Sequence, residues 1–227
     1  MMDDSIKIKN LCVSFGSKKV LRGLNLTIQS PGSTCLVGPN GSGKTTLIHA
    51  MLRFLPYTGK ITFGGHPLSA IRKRIGIVLD EPPFYGSLTA RMNLRLLMDA
   101  NGQNAAHGEK IFQMLKIDES ILKTKADQLS FGQRHRLAVA GAILRNPQYL
   151  FLDEPSVGLD AESLASLTEC LKAEVQAGKC LFITSHDFEF VHSVADNVAL
   201  LSDGICGFSG TKEEYMALAP QASQRIS

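Results

Sequence analysis

Along this chain the spacing of apolar residues changes period several times, and each change marks a predicted element. Leu24, Leu26 and Ile28 are separated by single polar positions, the repeat that turns one face of a strand to a core and the other to water. The stretch from Ile6 to Val13 has the same strand character. Ser30-Pro31-Gly32-Ser33 predicts a turn. Cys35-Leu36-Val37 shows no alternation, as expected of a strand buried on both faces of a parallel sheet. Gly59 to Phe63, Ile75 to Leu79, Tyr149 to Leu152 and Leu181 to Thr184 predict further strands. Val198 to Leu201, Asp203-Gly204 and Ile205 to Phe208 predict a hairpin.

Helical spacing takes over elsewhere. It runs from the end of a glycine-rich loop to about Phe54, and from Leu88 to about Leu122 through Leu94, Leu97, Met98, Ile111, Met114 and Leu115. It returns over Gln133 to Arg145, stopped by Asn146-Pro147. Glu162 to Gln176 places Leu164, Leu167 and Leu171 on one face and ends before Gly178. Strands alternating with helices predict an α/β fold whose mainly parallel sheet is covered on both faces. The early alternating strands predict an antiparallel β patch beside it. Residues 82–130, approximately, predict a helical lobe inserted in the core. The 227 residues suit one domain, with no internal repeat or long linker.

Charge adds little. The net +3 is mild, and the densest basic cluster, Arg72-Lys73-Arg74, suits a solvated face before a strand. Without a basic stripe no nucleic-acid partner is expected. Cys12, Cys35, Cys170, Cys180 and Cys206 are odd in number and form no C-x-x-C pair, so reduced thiols are expected. The opening residues lack a signal pattern, and no run approaches about 20 apolar residues. A membrane role would need its span from another chain.

The candidate chemistry lies in three places. Gly38-Pro39-Asn40-Gly41-Ser42-Gly43-Lys44-Thr45-Thr46 follows a predicted strand and opens a helix. Its glycines let successive N–H groups curl round phosphate oxygens, while the helix directs its positive end at the same anion. Lys44 is placed to reach the β and γ phosphates, and the Thr45 hydroxyl to bind Mg²⁺. Second, the apolar strand Tyr149 to Leu152 ends in Asp153-Glu154. Asp153 can hold the metal, usually through water, and Glu154 can polarise an attacking water as general base. Third, Leu129-Ser130-Phe131-Gly132-Gln133 opens a helix. Ser130 and Gln133 have capping-box spacing, so this is either a well-made helix start or a second phosphate site built on Ser130 and Gly132.

Together these stretches resemble the ABC ATPase family. Leu129 to Gln133 resembles its L-S-G-G-Q signature, with Phe131 at the most permissive glycine. Asp153-Glu154-Pro155 and Ser156-Val157-Gly158-Leu159-Asp160 resemble its Walker B and D-loop, and Ser185-His186 its switch histidine. Order and spacing match from about residue 5 to 215. The resemblance implies a P-loop NTPase core binding ATP and Mg²⁺, and a head-to-tail pairing with a second copy. ATP on Lys44 and Thr45 of one copy would meet Ser130, Gly132 and Gln133 of the other. His186 would touch the γ-phosphate and align water with Glu154, and Asp160 would link the two sites. Phe15 resembles the aromatic that stacks on adenine, and also suits a strand-end core residue.

The resemblance further implies an ATPase powering a separate polytopic membrane subunit, peripheral on the cytoplasmic face, with export the expected direction. A soluble assembly ATPase and a nucleotide-dependent binding module are the alternatives. One position departs from the pattern. After Ile75 to Leu79 the family usually places a glutamine; here stand Asp80 and Glu81. Asp80 is shorter and charged. Either it ligates Mg²⁺ through water, or Glu81 takes the role after a small loop shift. Phe84 and Tyr85 either face a groove for the membrane partner or pack the helical lobe.

Overall fold

The computed structural model describes residues 4–97 and 105–222. Its first strands, β1 (Ile6–Phe15) and β2 (Lys18–Ile28), pair antiparallel. After β3 (Gly32–Val37) and α1 (Lys44–Met51), β4 (Thr58–Phe63) returns to the free side of β1, giving a three-stranded sheet ordered β2-β1-β4. The two-residue period carries through: Ile6, Ile8, Leu24, Leu26 and Ile28 are buried. Then come α2 (Leu68–Ile71), β5 (Ile75–Val78), α3 (Ala90–Leu97), α4 (Ala105–Met114) and α5 (Glu119–Lys123). The chain continues through α6 (Phe131–Leu144), β6 (Tyr149–Asp153), α7 (Ala161–Gln176), β7 (Cys180–Thr184) and α8 (Phe188–Val194). It closes with β8 (Asn197–Ser202), β9 (Ile205–Thr211) and α9 (Lys212–Ala222).

The central sheet has six strands in the order β5-β6-β7-β3-β8-β9. All neighbours are parallel except β9, which is antiparallel to β8. Because successive side chains on a strand point to opposite faces, each strand feeds two cores. Cys35, Val37, Leu150, Leu152, Leu181 and Ile183 meet α6, α7 and α8. Leu36, Tyr149, Phe151, Phe182 and Ala199 meet α1 and the small antiparallel sheet. Phe63 sits edge-on to Tyr149 and Phe151, at ring separations of 5.5 and 6.3 Å. Those contacts tie the two sheets together and fix the strand ends that carry the loops of interest.

Several elements differ from the sequence expectation. The single helical pattern over Leu88–Leu122 resolves into α3, α4 and α5. Lys116, at φ +52°, and the Asp118 cap of α5 separate the last two. Met98 lies outside the described residues. Helix α1 stops at Met51 rather than about Phe54: Arg53 takes the left-handed conformation (φ +59°). Arg53 N–H then donates to Ala50 O and Phe54 N–H to His49 O, the bonding of a Schellman end without its usual glycine. The turn at Ser30-Pro31, which has a cis peptide, hands over to β3 already at Gly32. The short α2 and α8 and the terminal α9 were not anticipated. All five cysteines are free, and burial pushes the thiols of Cys170 and Cys180 up to about 12.

Candidate functional site

The loop between β3 and α1 sits at the carboxyl end of the parallel strands, where open α/β sheets take ligands. Its shape depends on glycine. A Cβ on Gly38 would lie 2.2 Å from the carbonyl oxygen of Leu201 in β8, so the loop rests directly on that backbone. Gly43 caps α1 in the left-handed region (φ 108°), and no side chain caps that helix. Its first-turn N–H groups therefore remain available to an anion. Lys44 is buried, and its Nζ donates to the carbonyl of Gly38 at 2.8 Å. The Ser42 hydroxyl is buried with no partner among the described residues.

Strand β6 delivers two carboxylates with different surroundings. Asp153 is 1% exposed. Its Oδ1 accepts from the Thr184 hydroxyl, and its buried Oδ2 has no partner. Glu154 follows in the left-handed region at φ +49°, a costly conformation for a non-glycine residue. Its N–H donates to Thr184 Oγ1 at 3.0 Å and to Thr184 O at 3.2 Å, which holds the turn. The strained corner aims the Glu154 carboxylate at two basic side chains: Oε2 lies 2.9 Å from Nδ1 of His186 and Oε1 3.6 Å from Nζ of Lys44. A carboxylate only accepts, so Nδ1 of His186 carries the hydrogen in that bond.

A cleft of about 560 Å³ opens over this arrangement. It is lined by Phe15 and Lys18, by Asn40, Gly41 and Gly43 to Thr46 of the loop and first turn, and by Asp80 and Glu154. Phe15 is half exposed rather than packed inside. Asp80 lines the cleft, whereas the exposed Glu81 does not. The volume is that of an ordinary small-molecule site. Orphaned oxygens on Ser42 and Asp153, an open glycine loop and a buried lysine form a donor set suited to a metal-bound polyphosphate.

Ser130, Gly132 and Gln133 do not line that cleft. Ser130 Oγ accepts from Gln133 N–H and Gln133 Oε1 from Ser130 N–H, so the capping box of α6 is complete. Asp160 caps α7, and its bonds from Ser163 hold its carboxyl below the usual range. Sequence reasoning missed His135, 1% exposed in α6. Its Nε2 lies 2.7 Å from the Asp80 carbonyl, which only accepts, so Nε2 carries the hydrogen. Burial lowers the pKa of this imidazole, and its Nδ1 is buried without a partner, at a cost of about 1–3 kcal/mol. Thr184 was also missed as a positioning group. Neither residue lies in a recognisable motif, and each acts across 30 residues or more.

Beside the cleft, an apolar groove of about 270 Å³ runs between β5 and α6, with Phe84 and Leu97 on its wall. Tyr85 is exposed outside it, its backbone pinned by the buried Asn93 side chain.

The family model described as ABC transporter matches residues 21–157. The SkfA peptide export ATP-binding protein SkfE of Bacillus subtilis is 34% identical over 88% of this chain and 86% of its own length. The Fe(3+) ions import ATP-binding protein FbpC 1 of Rhodococcus jostii is 30% identical over 94% of this chain. The chain spans only 64% of that importer's length. Among solved structures, one described as an ATP binding subunit of an ABC transporter superposes with a TM-score of 0.84 over 95% of this chain and 93% of its own. At 22% identity that likeness concerns the fold. Among the described residues no helix is long and apolar enough to cross a membrane.

Proposed function

The chain belongs to the ABC transporter ATP-binding family, and from that membership we propose that it works as one of two nucleotide-binding subunits that close head to tail beneath a membrane-spanning partner. ATP hydrolysis coupled to transport is its activity as an ABC ATPase. The observation that carries the assignment of roles is the Glu154 carboxylate, held between Lys44 and His186 at the rim of the cleft.

In the proposed mechanism the base of ATP stacks on Phe15 and the phosphates enter the loop from Gly38 to Thr46. Lys44 shifts its ammonium from the loop carbonyls toward the β and γ oxygens. The Thr45 hydroxyl and the carboxylates of Asp153 and Asp80 would hold Mg²⁺. The ion, when bound, neutralises charge on the β and γ phosphates. Glu154 turns from Lys44 to the attacking water and takes its proton as the γ-phosphoryl transfers. His186 keeps the carboxylate aimed and lies at the γ-phosphate side. Ser130 and Gly132 of a second copy, free of this chain's own cleft, close over the phosphates, with Gln133 bracing that helix start. The apolar groove by Phe84 is the proposed seat for the membrane partner. Export is the proposed direction, supported by the 34% identity with the peptide-export protein.

The test is Glu154→Gln. Turnover is expected to fall about 10²- to 10⁴-fold, the usual worth of a general base, while ATP affinity measured by calorimetry stays within about twofold. Tagged Glu154→Gln protein with Mg-ATP should then recover a polytopic membrane protein in near-stoichiometric amount. Unchanged turnover would remove Glu154 from the chemistry. Recovery of soluble proteins alone would sink the transporter reading.

A further inference from the structure

We infer that His135 is a positioning residue that locks the Asp80 corner of the cleft to the first turns of α6, so that the nucleotide-facing carboxylate and the helix start meant for the second copy's phosphates move together. The inference rests on the functional reading above and concerns a residue that reading leaves idle.

The contacts form a continuous line. Nε2–H of His135 donates to the Asp80 carbonyl at 2.7 Å. The Phe131 ring lies over the imidazole, with centroids 4.2 Å apart and planes inclined by 32°. The far side of Phe131 presses on Gly158, where a Cβ would sit 2.6 Å from Phe131 Cδ1. Gly158 has φ +70°, so this position is reserved for glycine twice over. Gly132 closes the same contact, since its Cβ would approach the Gly158 carbonyl to 3.1 Å. One imidazole thus joins the end of β5, the opening of α6 and the loop before α7.

Packing alone does not account for the residue. From Leu137 to Leu144 every residue of α6 is buried, and all are aliphatic or glycine. A leucine at 135 would fill similar space without leaving a buried acceptor bare at Nδ1. What a leucine cannot supply is the N–H for the Asp80 carbonyl. Asp80 lies two residues past the end of β5 and precedes Pro82 and Pro83, so few local backbone bonds can fix this corner. The bond from α6 sets where the carboxylate stands in the cleft. Conversely, any shift of Asp80 when nucleotide binds is passed to Phe131 and Gly158.

Two substitutions separate this role from plain packing. His135→Leu keeps an apolar filling and removes the donor; His135→Gln restores an amide N–H of similar reach. In the full chain, kcat for ATP should fall about three- to tenfold in His135→Leu, the range one hydrogen bond supports. KM should stay within about twofold, and His135→Gln should recover most of kcat. Wild-type kcat in His135→Leu, a loss that His135→Gln leaves unrepaired, or a rise confined to KM would each overturn the inference. If His135→Leu does not fold, the unmodified protein decides. The ¹⁵N-labelled imidazole should show a slowly exchanging Nε2–H signal that shifts when magnesium and a non-hydrolysable ATP analogue are added. A signal that is absent or does not move refutes the coupling. Glu154→Gln tests the wider reading separately: a dead Glu154→Gln beside a fully active His135→Leu would discard only this inference.

Discussion

Thr184 is the hinge of the carboxylate corner, and replacing it with valine isolates its hydroxyl. Valine has nearly the same shape, so no cavity opens at a site that is 0% exposed. Two interactions vanish. Asp153 Oδ1 loses its donor, leaving a buried carboxylate whose other oxygen already lacks a partner. Glu154 N–H loses the 3.0 Å bond to Oγ1 and keeps only the 3.2 Å bond to Thr184 O. A hydrogen bond to a charged group contributes about 1.5–3 kcal/mol, and the partial loss at Glu154 adds less than one neutral bond, so about 2–4 kcal/mol is expected. For a chain of this size that lowers the melting midpoint by about 5–15 °C. Turnover should fall as well, because the φ +49° turn at Glu154 is held by this residue. Thr184→Ser is the control: it keeps the hydroxyl, loses one methyl, and should cost about 1 kcal/mol. The assay is thermal unfolding by circular dichroism, paired with steady-state phosphate release. A Thr184→Val protein that melts at or above Thr184→Ser would refute the reasoning.

Other outcomes follow from the same geometry. Asp80→Gln should change the hydrolysis rate more than nucleotide affinity, measured by phosphate release and calorimetry; unchanged turnover would remove the Asp80 side chain from the mechanism. Phe84→Ala should reduce recovery of the membrane partner in pull-downs, with Tyr85→Ala, outside the groove, as the contrast. Equal recovery from both would dismiss the groove as the seat. At the N-cap of α5, the Ser120 hydroxyl and then the Ile121 N–H hold the Asp118 carboxyl below its usual range. A lowered folded-state pKa gives stability that is present above the unfolded value of about 4 and lost as pH falls through the folded one. The melting difference between wild type and Asp118→Ala should therefore be full at pH 7 and shrink below about pH 4; a constant gap would contradict the linkage.

Much of this architecture was legible where local chemistry and global position agree. The Cys35–Val37 run of β3 and the Tyr149–Leu152 run of β6 are apolar because both faces of the central sheet are covered, and both strands are buried at every position. The glycine loop between β3 and α1 was legible as a loop of set shape because its glycines answer a backbone demand, as Gly38 against Leu201 shows. What stayed hidden depends on partners far along the chain. Nothing near Thr184 reveals that Asp153 needs its hydroxyl, and nothing near His135 points to a carbonyl 55 residues earlier. The early stop of α1 was illegible for another reason: Arg53 occupies a left-handed position that usually advertises itself as glycine. Short helices such as α8, capped by Asp187, give too few turns for a period to emerge.

The strand order β7-β3-β8 carries a consequence for how this protein is made. Leu36 pairs alongside Thr184 and Val37 alongside Leu200. During synthesis the glycine loop emerges early, but both flanking strands follow about 150 residues later. At about 5–20 residues per second, β3 waits on the order of ten to thirty seconds for its neighbours. Through that interval the nascent chain presents an apolar strand with two unpaired edges, which invites aggregation and a chaperone's attention. The bed on which Gly38 rests does not exist until Leu201 has been added. Nucleotide can therefore grip the loop only after β8 has been made, and ATP would act as a check that the sheet has closed in the right order.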